Sequence, residues 1–157
     1  MTILLATLAV LVNGLLGGLS LDRSLVALPA WRRVGVRGWA AFSRHADLGN
    51  GLVLYPLLGI GGPLLSIATA VAYWLGPSGP SAAVPVAAMV LLSIGHVVGS
   101  ARAAPIMASV GRLTDDDEAG LRDAFARFEN WQTVRATLQV LAFGASVWAL
   151  VALVGAS

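Results

Sequence analysis

Long apolar stretches alternate with arginine-bearing segments along this chain. Four stretches of 18 to 25 residues carry little or no charge: 3–20, 51–75, 81–101 and 132–156. A helix needs about 20 apolar residues to cross the hydrocarbon core of a bilayer. The first stretch lacks a preceding basic region, which favours a retained span over a signal peptide. The pattern therefore predicts an all-α integral membrane four-helix bundle, with residues 1–157 forming one domain.

The connections between these stretches differ in charge. Residues 21–50 contain five arginines and residues 102–131 contain four, whereas the turn 76–80 is uncharged. Arginine is concentrated on the cytoplasmic side of membrane proteins. We therefore predict a multi-pass protein of the cell membrane, with both arginine-bearing connections in the cytoplasm and both termini outside.

Each cytoplasmic connection is expected to contain a helix. Apolar residues recur at helical spacing in the first connection: Val36, Trp39, Phe42 and Ala46. This spacing favours a short amphipathic helix on the membrane surface over residues 36–47. In the second connection, Thr114 and the acidic run 115–118 predict a hydroxyl-capped helix start. A helix running unbroken from there through the fourth span would either project into the cytoplasm or bend near residues 129–131.

Small residues indicate how the spans meet, because helices in lipid associate by close packing. Gly14 and Gly18 lie one turn apart in the first span, and the segment 59–63 of the second contains three glycines followed by Pro63. We interpret both as packing surfaces within one bundle. The alternative is a homodimer formed through the same glycines.

Composition narrows the function classes. Hydrophobic residues make up 57% of the chain and charged residues 11%, compared with about 25% charged in soluble domains. A net charge of +2 is too small to indicate nucleic-acid binding, and the absence of cysteine excludes disulfides and thiolate chemistry. The predicted spans contain no Asp or Glu, which disfavours a proton-coupled pump. The predicted partners are the lipid bilayer and an apolar aromatic small molecule, without nucleic acid.

Polar side chains inside the predicted spans are the candidate functional residues, because such groups are costly at membrane depth. The third span contains His96 and the fourth contains Arg135. Further polar residues share a helix face with them: Ser93 and Ser100 with His96, and Gln132, Gln139 and Ser146 with Arg135. We expect the two faces to meet in a polar pocket open towards the cytoplasm. In the alternative, Arg135 extends to the lipid headgroups and His96 is a neutral imidazole bonded to a neighbouring helix.

The candidate catalytic residues are thus His96 and Arg135. The candidate ligand-binding residues near the pocket mouth are Tyr55, Asn130, Trp131, Gln139 and His45. His45 and Asp47 come nearest to a metal-binding pair, but side chains two residues apart on a helix point in different directions. No metal site and no bound cofactor are therefore predicted, and no familiar catalytic motif is present.

The second half of the chain resembles a known family. The residues concerned are Ala104, Pro105, Ile106 and Met107 after the third span, and Asn130, Trp131, Val134 and Arg135 at the start of the fourth. In this layout the chain resembles the anthrone oxygenase-like family of small four-span membrane proteins. The resemblance implies oxidation of a polycyclic phenolic substrate without an obvious bound cofactor.

Two functions stay open at this point. In the first, the pocket binds a flat apolar phenolic compound, His96 exchanges a proton, Arg135 stabilises a phenolate or enolate and aromatic residues stack on the ligand. In the second, the protein is a non-enzymatic membrane carrier or an assembly partner of a larger complex. The sequence does not decide whether the protein is an enzyme.

Overall fold

The computed structural model describes residues 1–77 and 79–155, and these residues form an all-α fold without strands. Six α-helices follow one another along the chain: α1 (Thr2–Asp22), α2 (Leu28–Val34), α3 (Val36–His45), α4 (Gly51–Leu75), α5 (Ala83–Val110) and α6 (Glu118–Gly155). One π-helical turn, Arg23–Ala27, joins α1 to α2, and another, Ala46–Asn50, joins α3 to α4. The all-α prediction is confirmed.

The four long helices, α1, α4, α5 and α6, form the bundle. α6 packs against α1 and α5, and α4 packs against the same two helices from the other side. Each of the four lies in a helical segment that is long and apolar enough to cross a membrane. The predicted arrangement of four long apolar helices is therefore confirmed.

The observed helix ends agree best with the prediction where the chain is purely apolar. α4 coincides with the predicted segment 51–75, whereas α5 continues nine residues beyond the predicted end at residue 101. It continues because Ala103, Ile106 and Val110, spaced at three and four residues, are buried in the core. Ser78 of the predicted turn and Ala156 at the end of the predicted fourth span lie outside the described residues.

The long last helix, α6, is one continuous α-helix of 38 residues, or about 57 Å at 1.5 Å per residue. The prediction of a helix capped by Thr114 is wrong, because α6 begins at Glu118. Asp117 caps this helix instead, since its Oδ1 atom accepts a hydrogen bond of 3.0 Å from the Gly120 amide. The amino-terminal turns of α6 lie beyond the predicted fourth span, at the same end of the bundle as α2 and α3. We refer to this as the arginine end.

Aromatic rings fill the core of the arginine end. Trp39 of α3 is fully buried, and its ring centroid lies 5.0 Å from that of Phe125 and 5.6 Å from that of Phe128 on α6. Trp31 of α2 lies 6.5 Å from Phe128. The helix predicted over residues 36–47 is thus present as α3 and ends at His45. On its apolar face Trp39 packs on protein and Phe42 is exposed, and the position of α3 on the membrane surface stays a prediction.

Arg44 of α3 holds the connection between α5 and α6. Its guanidinium donates hydrogen bonds to the carbonyl oxygens of Val110 at 3.2 Å and Leu113 at 2.6 Å, and forms an ion pair of 2.6 Å with Asp115. The last carbonyls of a helix have no partner within the helix. Arg44 therefore supplies donors at the end of α5 and links the connection to α3.

Two glycines of the predicted packing surfaces, Gly14 and Gly62, lie between helices of the same chain. A Cβ atom added to Gly14 would lie 3.1 Å from the Phe143 ring of α6, and one added to Gly62 would lie 2.8 Å from Asn13 Oδ1 of α1. Close approach of α1 to α6 and α4 thus depends on these residues. A Cβ atom at Gly18 would meet nothing within 4 Å. The homodimer through these glycines stays a prediction.

Candidate functional site

A cavity of about 480 Å³ lies near the arginine end and is lined by all four long helices. Its volume falls within the range of about 300–1,000 Å³ found for small-molecule sites. The polar side chains on its wall include Ser20, Arg23, Tyr55, Ser100, Arg135 and Gln139. The apolar part includes Leu16, Trp31, Phe42, Ile60, Val97 and Met107. Most of the wall is therefore apolar, with a few polar groups placed among rings and aliphatic side chains.

Arg23 lies at the junction of the two π-helical turns. Its Nη2 atom donates to Asp47 Oδ1 at 2.5 Å and to the Tyr55 hydroxyl oxygen at 2.9 Å. The guanidinium carbon also lies 5.1 Å from the Tyr55 ring centroid, within the range of a cation–π contact. Asp47 is buried, so the charge of Arg23 is neutralised inside the protein.

Arg135 lies on the part of the cavity wall that α6 provides. Its Nη2 atom donates to Gln132 Oε1 one turn earlier, while its Nε atom is buried and has no hydrogen-bond partner among the described residues. Gly99 of α5 lies beside Arg135, and a Cβ atom there would make an ordinary van der Waals contact of 3.5 Å with Arg135 Cβ. In the described part of the chain no carboxylate lies within 4.0 Å of the Arg135 guanidinium.

The remaining polar residues of this face of α6 are bonded to α1 and the turn after it. Gln132 Nε2 donates to the Ser24 hydroxyl oxygen at 3.1 Å, and the Ser20 hydroxyl donates to Gln139 Oε1. These bonds fix the side-chain amides on both sides of Arg135. Farther from the cavity, Asn13 Nδ2 donates to the Ser146 hydroxyl oxygen at 3.0 Å. The polar face predicted from Gln132 to Ser146 therefore points into the bundle.

His96 is next to the cavity but is absent from its described lining. The imidazole is fully buried, and neither ring nitrogen has a hydrogen-bond partner among the described residues. Val97 and Ser100, on the same helix, line the cavity. Of the residues on the two polar faces, Ser100, Arg135 and Gln139 line one cavity. His96 is instead packed between helices.

The structure divides the predicted ligand-binding residues into two groups. Tyr55 and Gln139 line the cavity. Asn130 and His45 are exposed, and Trp131 packs against the aromatic cluster around Trp39. These three side chains therefore lie outside the cavity, beyond its end or on other helix faces.

Three residues near the cavity, Arg23, Asp47 and Trp31, were not predicted as ligand-binding residues from the sequence. Arg23 and Asp47 are 24 positions apart, and their pairing depends on how α2 and α3 fold between them. Their positions in the sequence could have indicated a role in the site, because Arg23 and Asp47 each lie close to an end of a predicted apolar stretch. No group of three or more metal-ligating side chains is found among the described residues.

Comparisons with protein-family models, curated proteins and solved structures find no match to this chain. The function of the cavity is therefore inferred from its own residues.

Proposed function

We propose that this protein spans the membrane four times and binds an apolar aromatic molecule with one acidic oxygen in the cavity between its helices. The observation that carries the proposal is Arg135, a largely buried guanidinium on the cavity wall without a carboxylate within 4.0 Å in the described chain. A phenolate, enolate or hydroxyquinone anion would supply the missing negative charge.

Charge balance supports an anionic ligand oxygen. Arg23 is paired with the buried Asp47, so Arg135 contributes an excess positive charge at the wall. Asp22 also lines the cavity, but it is exposed and forms no ion pair with Arg135. A buried charge without a partner is unfavourable, and binding of an anion relieves this cost. The Nε–H group of Arg135 is buried without a hydrogen-bond partner among the described residues, so the protein itself satisfies this guanidinium incompletely.

The rings on the wall support a flat aromatic ligand. Trp31, Phe42 and Tyr55 line the cavity together with aliphatic side chains. Aromatic rings bury large apolar areas and stack on one another at centroid distances of about 4.5–7 Å. A fused-ring molecule with a single acidic oxygen satisfies both parts of this wall.

Membrane insertion is supported by the outer surface of the bundle. Large apolar side chains are exposed on each long helix, for example Leu11, Leu64, Leu91 and Val151. Apolar exposure of this extent is expected of a surface that faces lipid. The arginine-bearing connections favour a cytoplasmic arginine end with both termini outside, in a cell membrane, because arginine is concentrated on the cytoplasmic side of membrane proteins.

The resemblance to anthrone oxygenase-like proteins adds a reaction to this proposal. Arg135 would stabilise the enolate formed when an anthrone loses a proton. Addition of dioxygen to the enolate carbon gives a hydroperoxide, which loses water to form a quinone, so dioxygen is both the oxidant and the oxygen source. The alternative is a carrier that releases its ligand unchanged, and the position of His96 outside the described lining favours it.

Ligand binding is tested with a pair of compounds that differ in one acidic group. We expect 2-hydroxy-1,4-naphthoquinone to bind the protein in lipid nanodiscs more tightly than 1,4-naphthoquinone. Arg135→Gln should weaken only the hydroxyquinone, by about 10- to 100-fold, since a hydrogen bond to a charged group is worth about 1.5–3 kcal/mol. Arg112→Gln removes an exposed arginine away from the cavity and should leave both affinities unchanged. Equal affinities of the two compounds for the wild type would contradict the proposal.

The reaction is tested separately, by oxygen consumption in the presence of an anthrone. The oxygenase proposal predicts a rate above that of the His96→Ala, Arg135→Ala double mutant, together with a quinone product. Recovery of unchanged anthrone bound to the wild-type protein would instead support the carrier.

A further inference from the structure

We infer that the ligand of this cavity is an amphiphile whose hydrocarbon tail leaves the protein sideways, between α4 and α5. The inference rests on the proposed function, because Arg135 is taken to hold the polar head. It adds a second requirement for the ligand, an alkyl or prenyl chain attached to the aromatic ring.

Most of the exposed lining residues lie on one side of the cavity, on α4 and α5; the others are Leu19, Asp22 and Phe42. On α6 the lining residues Arg135 and Gln139 are both at least partly buried. On α4 and α5 the lining includes exposed apolar side chains, among which Ile60 is 56% exposed and Val97 is 37% exposed. The cavity therefore reaches the outer surface of the bundle on the side of these two helices.

The exposed lining residues of α4 and α5 form two matching stripes. On α4 they are Pro56 and Ile60, one turn apart, and on α5 they are Val97, Ala101 and Ala104, on successive turns. None of these residues is charged or polar. A passage lined in this way suits a hydrocarbon chain and provides no partner for a polar head.

Small side chains leave room between the stripes. Gly59 lines the cavity, and a Cβ atom added to it would meet nothing within 4 Å. α4 also packs less extensively against α5 than against α1. The open space at Gly59 therefore contrasts with the glycines that serve helix contacts, such as Gly62.

The depth of the opening also indicates its occupant. Ile60 lies nine residues after the start of α4 at Gly51, or about 14 Å along the helix. This distance places the opening beside acyl chains, within a hydrocarbon core about 30 Å thick. A tail leaving there enters the apolar phase directly, while the aromatic head stays near the arginines.

The experiment compares two ligands with the same head, 2-hydroxy-1,4-naphthoquinone and its 3-decyl derivative. Affinities are measured in nanodiscs and corrected for partition of each compound into empty nanodiscs. Gly59→Leu should narrow the opening and weaken the decyl compound about tenfold, with less than a twofold change for the parent. Gly144→Leu is the matched control, because a Cβ atom at Gly144 also meets nothing within 4 Å and this residue is not in the described lining.

A second pair of variants tests the α5 side. Ala101→Leu should repeat the selective loss, whereas Ala87→Leu, at an exposed alanine of the same helix outside the described lining, should not. Equal weakening of both ligands by Gly59→Leu and Ala101→Leu, or no weakening of the decyl compound, would overturn the lateral exit. If the parent compound fails to bind the wild type, the proposed function itself fails, and the inference fails with it.

Discussion

Aromatic rings separate the helices at the arginine end, whereas at the opposite end the helices approach one another over alanine side chains. The core of the arginine end contains Trp31, Trp39, Phe125 and Phe128, contributed by α2, α3 and α6. The core of the opposite end contains Ala6, Ala9, Ala145 and Ala149, contributed by α1 and α6. Small residues allow close backbone approach, while large ones fill the space between more widely spaced elements.

This difference explains where the cavity lies. Trp31 belongs both to the aromatic cluster and to the cavity wall, so the rings that hold the connections in place also bound the ligand site. At the opposite end α1 and α6 meet over alanine side chains, and the larger buried side chains there, such as Tyr73 and Met89, come from α4 and α5. Binding capacity and stability at the arginine end therefore depend on the same aromatic residues.

The largest effect is expected from Trp39→Ala, which removes the buried ring between Phe125 and Phe128. Truncation of a buried Trp costs about 3–5 kcal/mol, so the thermal unfolding temperature should fall markedly. Trp148→Ala is the control, since Trp148 is 53% exposed and should have little effect. Similar melting temperatures for the two variants would show that the aromatic cluster does not stabilise this end.

A smaller effect is expected at the opposite end from Ala149→Leu. Ala149 is fully buried, and the added atoms should overpack the contact at a cost of about 1–3 kcal/mol. Ala126→Leu, at an exposed position of the same helix, should be close to neutral. Hydroxyquinone affinity should be unchanged in both variants, because neither residue lines the cavity in the described structure. A loss of affinity in Ala149→Leu would indicate that the two ends are coupled.

The sequence predicted the long helices well because bilayer thickness imposes a length that apolar stretches reveal. The predicted third span ends at residue 101, before Arg102, whereas the helix α5 continues to Val110 because Ala103, Ile106 and Val110 are buried on one face. Arg135 was predicted for the site from its position in a span. Charges that pair through the folded connection could not be predicted in this way.

A still smaller and local effect on backbone dynamics is expected from Arg44→Gln. This substitution removes the ion pair with Asp115 and weakens the hydrogen bonds to the end of α5. Amide hydrogen exchange over residues 110–117 should become faster, while exchange within α4 stays unchanged. Arg37→Gln is the control, because Arg37 is exposed and its contact with Glu118 is 3.5 Å long. Faster exchange throughout the bundle would instead assign Arg44 a global role.

The two ends of the bundle are expected to lie on opposite sides of the membrane, which single cysteine substitutions can test without an effect on stability. The chain contains no cysteine, so single cysteines can be introduced without further changes. Asp116→Cys at the arginine end and Ser81→Cys at the opposite end both replace exposed residues. In intact cells a membrane-impermeant maleimide should label Ser81→Cys alone, and Asp116→Cys should react only after the membrane is opened. The reverse labelling would place the arginine end outside, and with it the cavity and its exit between α4 and α5 would belong to the outer leaflet.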